Sequence, residues 1–580
     1  MERPSFMRIC RFSVKNFRNL ANVELELCPG TVIVGENRAG KSNLLHALRL
    51  ILDGRMSFAD RQLTAEDFWD GLSTGEPDWD PMAEGHVIEA SIDLVDFLHD
   101  AGLTAALGGA LVAEDPPRAR LTYRFGPIDT GTADGKPRYR GAVYGGTTDQ
   151  KISSEMLASL HLVFMHALRD VEADIRNWRK SPLRGLLVAA AAAAAEGGDL
   201  TEVKAAMKEA NDKLNGLDVI KQLGTNIGGR LEEMVGSAQA VETKLAAAPD
   251  EPARLIRAMR LFVDGEANRP LGSASLGTLN VIYLALQELG LDARMINEPD
   301  IAHVVMAIEE PEAHLHPHLQ RLVFRRLLAA RDSAYTALVT TQSPHIASVT
   351  DPRCLVVLHN AEGTTTASQA RDADLTQAEW DDIARYLDAT RAEIVFARKV
   401  LLVEGYAEEV LMPRLAQSMG IDLDKEGISV CAVHGTHFSS YVRFCDALGL
   451  PWAVVTDGDV DSKGNSAGAA RATELLSLLK LGGTPAEHGI FVGDTTLEYD
   501  LITSRPKENI VPSFKALKEL CAAPSAADVD SWGAAAPDLA EFKRILKNAG
   551  GKGRYAQRLA QLDIAPSSHV EGALRYLVER

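Results

Sequence analysis

The sequence predicts a multidomain α/β protein with two parallel-sheet units, the first interrupted by a helical segment. Its 580 residues exceed one ordinary domain and favour two or three. Buried apolar strands alternate with amphipathic helices over residues 300–350 and again from residue 399, the pattern that is typical of parallel sheets. Residues 170–265 are instead rich in Ala, Glu and Lys with helical periodicity, so we expect a helical arm there.

The composition indicates an ordinary globular protein. Hydrophobic residues make up 46% and charged residues 24%. The sequence contains no apolar stretch of about 18 residues, the length that a membrane span needs. The N-terminal residues lack the apolar core of a signal peptide. The six cysteines are scattered without a CxxC pair, which disfavours a disulfide framework or a zinc site. We therefore expect a cytoplasmic protein with no membrane partner.

The net charge of −19 argues against a uniformly basic surface for nucleic acid. Two local basic groups are nevertheless candidate DNA-binding grooves, and each is equally compatible with a solvated helix face. The first group is Arg321, Arg325, Arg326 and Arg331, and the second is Lys543, Arg544, Lys547, Lys552, Arg554 and Arg558.

The local patterns place the individual elements. Residues 8–34 predict two strands around a turn, the first over RICRFSVKNFRNL and the second in a run that ends in TVIVG, and a helix is expected from Ser42. Residues 54–150 mix short β-like runs with turns rich in Gly and Asp, and residues 366–395 are polar and helical. The second α/β unit is predicted as strand 399–403, helix 407–419, strand 428–433, helix 438–448 and strand 452–456, followed by helices over 510–580.

The first chemical motif is GENRAGKS at 35–42, which fits the P-loop pattern GxxxxGK[ST]. Gly35 and Gly40 allow backbone N–H groups to wrap phosphates around Asn37, Lys41 reaches the β- and γ-phosphates, and Ser42 ligates magnesium. The motif lies between a buried strand and an amphipathic helix, which is the context that it requires. We therefore predict a nucleotide-phosphate site.

A second buried strand, VVMAI at 304–308, delivers two carboxylates at its end. Glu309 is predicted to hold the magnesium shell, and Glu310 is predicted to orient or activate the attacking water. The alternating histidines that follow, at 314, 316 and 318, are a weaker candidate for a metal site.

A carboxylate cluster is predicted in the second α/β unit. Glu404 ends the strand KVLLV, and Glu408 lies one helical turn further on, so both side chains can face one site. Asp457 and Asp459 follow another buried strand, and an extended chain would point them in the same direction, with Asp461 next in the series. Hard oxygen ligands at the carboxyl ends of parallel strands predict a magnesium or manganese site. The alternative is a pair of capped strand ends with surface acids.

The two motif sets, in this order, resemble an ABC-type (SMC/RecF-like) ATPase head followed by a TOPRIM domain, and together with the arm they resemble the OLD family of nucleases. ALRD at 167–170 and ARYLD at 384–388 also match that family. The resemblance implies a head over 1–170 and 266–375, an arm for dimerisation over 171–265, a linker over 376–397, and a TOPRIM nuclease domain with C-terminal helices over 398–580.

The resemblance also implies roles for further residues. Glu498 matches an additional acidic, metal-binding and catalytic position. Lys552 matches a lysine that offsets charge on the scissile phosphate, although one lysine on a helical surface is the plainer interpretation. Ser273 lies in the segment that resembles the ABC signature, which in that family faces the γ-phosphate bound by a second subunit. Gln342 stands where relatives usually carry histidine, which favours slow ATP hydrolysis or a signalling role over brisk turnover.

The function implied by the resemblance is a nucleotide-regulated DNA endonuclease of phage defence. It would hydrolyse phosphodiesters of double-stranded DNA with two Mg²⁺ or Mn²⁺ ions, bind ATP with Mg²⁺, and form a homodimer or higher oligomer through the ATPase half. Some relatives work beside a UvrD-like helicase. An ATP-gated DNA clamp or sensor that does not cut is the main alternative. A topoisomerase or primase is disfavoured, because the region after the TOPRIM unit is short. Whether ATP activates or restrains cleavage stays open.

Overall fold

The computed structural model describes the chain except for residues 1–6, 77, 130–136, 148–149, 168–170, 178–180, 197–199, 236–255, 257–258, 264–268, 298–299, 330–334, 388–390 and 462. Three features of the sequence fall wholly or partly outside the described residues: Arg331 of the first basic group, positions 168–170 of ALRD, and position 388 of ARYLD. The chain forms two compact units. The first comprises residues 1–165, 303–312 and 317–580, and the second comprises residues 166–302 and 313–316. The domain boundaries given above stay predictions.

The N-terminal part of the first unit contains an antiparallel sheet. Its strands are Arg8–Phe17, Leu20–Glu26, Ile88–Val95, Leu111–Glu114, Pro117–Asp129, Arg138–Gly145 and Gln150–Lys151. The prediction of two strands over residues 8–34 is wrong, because this region forms three. Asn16 and Arg18 both adopt positive φ angles, of 59° and 52°, and reverse the chain where the first strand was expected to continue. The third strand, Gly30–Gly35, belongs to a different sheet.

That second sheet carries the predicted nucleotide motifs. In spatial order its strands are Thr364–Gln369, Leu355–Ala361, Gly30–Gly35, Tyr335–Thr340, His303–Glu309 and Leu160–Met165. All neighbours are parallel except the first pair, which is antiparallel. The central strands are mostly apolar and are buried except for one half-buried end residue each, as expected of strands covered on both faces. Their carboxyl ends meet at one edge, where the segments after residues 35, 309 and 340 come together.

Helices accompany both sheets of this part. In the first unit they are Lys41–Leu52, Ala101–Leu107, Ser154–Ser159, Pro317–Leu328 and Pro344–Ala347. The second unit contains the helices Val171–Arg176, Leu183–Glu196, Leu200–Gly216, Asp218–Val235 and Leu276–Asn297 and the two-stranded pair Phe262–Val263 and Arg269–Pro270. The predicted helical character of residues 170–265 is confirmed for the described residues up to Val235, whereas Phe262–Val263 forms a strand. The helix expected from Ser42 begins at Lys41.

The C-terminal part of the first unit is a second α/β layer. Its parallel sheet has the order Ile428–Ala432, Lys399–Val403, Trp452–Thr456 and Ile490–Val492. The helices are Tyr406–Ser418, Leu423–Glu426, Phe438–Ala447, Ala467–Leu478, Leu497–Ser504, Pro506–Leu520, Ala523–Ser531, Leu539–Asn548, Lys552–Leu559 and Ser568–Glu579. The predicted alternation of strands and helices from residue 399 is confirmed. Apolar residues of the sheet and of the C-terminal helices share one core.

Residues 376–397, which were predicted as a linker, include a helix with a capped N-terminus. Helix Gln377–Tyr386 begins with a capping box formed by Thr376 and Glu379. Trp380 is buried and meets Phe444 edge to face, with ring centroids 6.4 Å apart. The segment is therefore packed against the second α/β layer. Among the described helices none is long and apolar enough to cross a membrane.

His303, in the strand that ends at Glu309, is expected to make the free energy of unfolding depend on pH. It is buried, its Nε2 lies 2.9 Å from the Thr336 hydroxyl, and burial lowers its pKa to about 4. The folded state thus holds a neutral imidazole, whereas the unfolded chain protonates His303 below about pH 6.5. The contribution of His303 to the free energy of unfolding is therefore fully present above about pH 6.5 and is lost as the pH falls toward 4. Between pH 7.5 and 4.5 we expect wild type to lose up to about 3 kcal/mol more unfolding free energy than His303→Gln. Urea unfolding of both proteins at both pH values measures this, and an equal loss would contradict it.

Candidate functional site

The P-loop motif forms the tight turn that its glycines require. Gly35, Arg38 and Gly40 all have positive φ angles, of 156°, 71° and 95°. A Cβ at Gly35 would lie 2.7 Å from the Leu358 carbonyl oxygen, and one at Gly40 would lie 2.9 Å from the Asn19 side chain. Neither position therefore tolerates a side chain without movement of its neighbours. The loop leads into helix Lys41–Leu52, whose N-terminus is suited to bind phosphate.

Lys41 is buried at the start of this helix, and Ser42 beside it is exposed. The Lys41 ammonium donates to the carbonyl oxygens of Gly35 and Glu36, at 2.7 and 3.2 Å. Burial lowers the pKa of Lys41, and the nearby carboxylates, with Glu310 3.9 Å away, oppose that shift. The lysine is therefore held inside the loop that would receive phosphates.

The two carboxylates predicted to serve the nucleotide site lie at the adjacent strand end. Glu309 ends strand His303–Glu309, and Glu310 follows with a φ of 42°. A left-handed conformation costs a residue with a side chain roughly 1 kcal/mol, and such strain concentrates at functional sites. The Glu310 amide donates to the Thr340 carbonyl oxygen at 2.9 Å, which holds the turn in place.

Gln342 connects Glu310 to the P-loop. Its amide nitrogen lies 2.6 Å from a Glu310 carboxylate oxygen and 3.0 Å from the Asn37 side-chain oxygen. Glu312, to which the sequence assigned no role, accepts hydrogen bonds from the Gln342 backbone amide at 2.7 Å and from the Thr341 hydroxyl at 2.8 Å. Burial raises the pKa of Glu312. No local pattern marks it, because its two donors lie about thirty residues further along the chain.

Ser273 and the histidines at 314, 316 and 318 are the remaining predicted features of the ATPase half. Ser273 lies in the second unit, is exposed, and donates to the Pro270 carbonyl oxygen at 2.8 Å. His318 and His345 each bring a ring nitrogen to Arg321, at 2.8 and 3.1 Å. Within the described part of the chain, the histidines at 314, 316 and 318 form no group able to hold a metal ion, so that weaker interpretation is not supported.

In the C-terminal layer, Glu404 and Glu408 each lie close enough to Asp457 for its negative charge to raise their pKa. Glu404 directly follows strand Lys399–Val403, and burial raises its pKa. Glu408 lies in the first turn of helix Tyr406–Ser418 and is buried. Burial, with the nearby negative charge of Glu498, raises the pKa of Glu408 to about 7. The two carboxyls therefore occupy a poorly hydrated region of the site.

Asp457 is the centre of the cluster. One of its carboxylate oxygens accepts from the Leu497 amide at 2.8 Å, and the other accepts from the Lys552 ammonium at 2.9 Å. Lys552 also lies 3.4 Å from the fully buried carboxylate of Glu498. Burial opposes protonation of Lys552, but Glu498 and Asp457 outweigh it and raise the lysine pKa. Lys552, at the start of helix Lys552–Leu559, thus points into the cluster.

The prediction that Asp459 lies on an extended chain is wrong. The chain beyond strand Trp452–Thr456 is not extended, because Asp459 has a φ of 48°. Asp459 joins the cluster instead through Arg471, whose two terminal nitrogens both lie 3.1 Å from one of its carboxylate oxygens. Asp461 is not brought to the cluster by any bond among the described residues. Its carboxylate closes its own turn by accepting from Lys463 and Asn465 at 2.8 to 2.9 Å.

The donor set fits divalent metal ions. Within the described residues no group of three or more His, Cys, Asp or Glu side chains is placed so that it could hold a metal ion. Two cationic side chains contact these carboxylates. The Lys552 ammonium contacts Asp457 and Glu498, and the Arg471 guanidinium contacts Glu404 and Asp459. The Glu498 oxygens are buried without a hydrogen bond of normal geometry. Hard carboxylate oxygens that accept positive charge are the donors that Mg²⁺ and Mn²⁺ prefer.

Comparisons with known proteins match both halves of the chain. Residues 395–459 match the family model "Overcoming lysogenization defect protein-like, TOPRIM domain", and residues 31–348 match the model "AAA domain, putative AbiEii toxin, Type IV TA system". The OLD nuclease of Thermus scotoductus is 27% identical over 78% of this chain and 82% of its own. Endonuclease GajA of Bacillus cereus is 22% identical over 82% of this chain and 79% of its own.

Among solved structures, the C-terminal region of the Burkholderia pseudomallei OLD protein is 29% identical, covering 32% of this chain and 98% of that one, with a TM-score of 0.29. The first family model of the two spans Glu404, Glu408, Asp457 and Asp459, whereas Glu498 and Lys552 lie beyond it. The chain therefore belongs to the AAA domain family matched over residues 31–348, and it carries an OLD-like TOPRIM domain over residues 395–459.

Proposed function

We propose that this protein is a nucleotide-regulated, divalent-metal-dependent DNA endonuclease. The observation that carries the proposal is the contact of Lys552 with Asp457 and Glu498, beside Glu404 and Glu408 at the carboxyl edge of the sheet. The names of its relatives, OLD nuclease and endonuclease GajA, support the same activity. We propose double-stranded DNA as the substrate and defence against phage as the role.

The side chains of the cluster have separable tasks in this proposal. The five acidic groups at 404, 408, 457, 459 and 498 would hold Mg²⁺ or Mn²⁺. A bound divalent ion would neutralise charge on a phosphodiester and supply an activated water. Lys552, which is cationic and pairs with Asp457, would offset the negative charge that develops on the scissile phosphate.

The ATPase half supports nucleotide binding as the regulatory input. Gly35, Gly40 and Lys41 form a phosphate-binding turn, with Ser42 and Glu309 available to the magnesium of ATP. Gln342 already holds Glu310 by a hydrogen bond, which supports slow hydrolysis or a conformational signal. We further propose that heads pair, so that Ser273 of one subunit meets the nucleotide of another.

Plasmid cleavage tests this function directly. Supercoiled DNA is incubated with the protein and Mg²⁺ or Mn²⁺, with and without ATP, and the nicked and linear products are measured. We expect metal-dependent products whose rate differs between the two nucleotide conditions. ATP-dependent DNA binding without any cut product would favour the clamp or sensor function instead.

An ion pair links the P-loop to the first strand of the TOPRIM domain. Arg398 directly precedes strand Lys399–Val403, and its guanidinium makes two hydrogen bonds to the Glu36 carboxylate, the longer at 3.1 Å. Both side chains are largely exposed, so the pair adds little stability by itself. It is, however, a direct contact between the nucleotide loop and the residue before the strand that leads to Glu404.

We expect Arg398→Gln to reduce the difference between the cleavage rates with and without ATP by about 5-fold or more, within the usual range of coupling energies. The rate without ATP should stay near wild type. Arg371→Gln, which breaks a comparable surface pair with Glu26, is the matched control. A wild-type response to ATP in Arg398→Gln would show that this ion pair does not carry the signal.

A further inference from the structure

Arg471 belongs to a helix that is fitted closely against the aspartate loop. Helix Ala467–Leu478 is capped by Ser466, whose hydroxyl lies 2.6 Å from the Gly458 carbonyl oxygen. A Cβ at Gly468 would lie 2.2 Å from the Asp457 carbonyl oxygen, so only glycine permits this approach. The helix therefore holds a fixed position beside the loop, and Arg471 one turn later is aimed at the carboxylates.

The guanidinium of Arg471 joins the ends of two strands. One terminal nitrogen lies 3.0 Å from a Glu404 carboxylate oxygen, 2.8 Å from the Thr456 hydroxyl and 2.8 Å from the Asp457 carbonyl oxygen. Both terminal nitrogens lie 3.1 Å from the same Asp459 oxygen. The arginine thus contacts groups at or after the carboxyl ends of two neighbouring strands, where the metal site is predicted.

These contacts determine which carboxylate oxygens face the site. The same Glu404 oxygen, Oε1, also accepts from the Thr456 hydroxyl at 2.5 Å and from the Asp457 amide at 2.8 Å. Three donors therefore orient Glu404 through one oxygen and direct the other, Oε2, away from them. Asp459 is exposed and has a left-handed backbone, so without Arg471 little else would restrain its side chain.

We propose that Arg471 is a positioning residue that pre-organises Glu404 and Asp459 as metal ligands, an inference that rests on the proposed function. Partners that orient metal ligands in this way generally contribute a factor of about 10 to 100 to metal affinity. A guanidinium suits the task because it stays charged and its planar fork reaches two carboxylates at once. Lys552 pairs with Asp457 and Glu498, so the two cations serve different halves of the cluster.

The test measures Mn²⁺ binding to the full chain without DNA or nucleotide, by the electron paramagnetic resonance signal of free Mn²⁺. Arg471→Met removes the charge and every bond, and Arg471→Lys keeps the charge but not the fork. Glu474→Gln alters an exposed side chain on the same helix and is the control. We expect the Kd for Mn²⁺ to rise about 10- to 100-fold in Arg471→Met, to rise less in Arg471→Lys, and to stay unchanged in the control.

Cleavage kinetics supply a second readout. Saturating Mn²⁺ should restore much of the Arg471→Met rate, while the KM for DNA stays as in wild type. An unchanged Mn²⁺ affinity in Arg471→Met would overturn the proposal. A tighter affinity would also overturn it, because the guanidinium would then compete with the metal for the carboxylates.

Two further outcomes of these experiments have different consequences for the proposal. If Arg471→Met does not fold, the comparison rests on Arg471→Lys, and an affinity equal to that of wild type there overturns the proposal. If Mn²⁺ affinity falls as expected but wild type itself cuts no DNA, the positioning role stands and the endonuclease function fails.

Discussion

Asp457→Asn is expected to lower the rate of metal-dependent DNA cleavage by about 10²- to 10³-fold or more. The amide can still accept from the Leu497 backbone, so the local turn is preserved. It cannot pair with Lys552 as a carboxylate does, and it removes a charged oxygen ligand from the centre of the cluster. The measurement is the initial rate of plasmid nicking at saturating Mg²⁺ or Mn²⁺.

The control for Asp457→Asn is the same substitution at Asp424, an exposed aspartate of helix Leu423–Glu426 that is not part of the cluster. Asp424→Asn should cut DNA at the wild-type rate. Circular dichroism and thermal unfolding of both variants verify that each is folded. A folded Asp457→Asn that cuts at the wild-type rate would remove this cluster as the seat of cleavage.

Lys41→Ala is expected to weaken ATP binding by at least about 10- to 100-fold, the loss typical of a hydrogen bond between charged groups. The Lys41 ammonium is held over the loop by the Gly35 and Glu36 carbonyl oxygens, where it would meet the β- and γ-phosphates. Isothermal titration calorimetry with ATP and Mg²⁺ gives the Kd directly. In the cleavage assay, this variant should behave with ATP as wild type behaves without it.

Lys15→Ala serves as the control for Lys41→Ala, because Lys15 is an exposed lysine of strand Arg8–Phe17. It should bind ATP as wild type does. If Lys41→Ala bound ATP with wild-type affinity, the P-loop would not be the nucleotide site. If it lost binding but its cleavage still responded to ATP, the regulatory input would lie elsewhere.

The sequence was sufficient to predict both motif sets and their placement on the sheets. The P-loop was expected between a buried strand and an amphipathic helix, and it lies between Gly30–Gly35 and Lys41–Leu52. Glu404, Asp457 and Glu309 were expected at or after the carboxyl ends of buried strands, where they are found. These features depend on apolar periodicity and on glycine at tight turns, which are local properties of the chain.

Where prediction from the sequence failed, the deciding contacts join distant residues or depend on a single backbone angle. The first strand was expected to run through Arg18, where the chain in fact reverses. Asp457 and Asp459 were expected to point together along an extended chain, whereas Asp459 is turned into a left-handed conformation. Apolar periodicity carries no information about such single-residue reversals.

The sequence by itself therefore determined that this protein has a nucleotide loop and a set of carboxylates at the edges of two sheets. Only the tertiary structure decided which distant residues pair with those groups and fix their positions. Lys552 reaches Asp457 across 95 positions, and Arg471 reaches Glu404 across 67. Gln342 reaches Asn37 across 305 positions. The physical reason is that a buried carboxylate needs a compensating cation or donor, and the packing of separate helices against the sheet determines which residue supplies it.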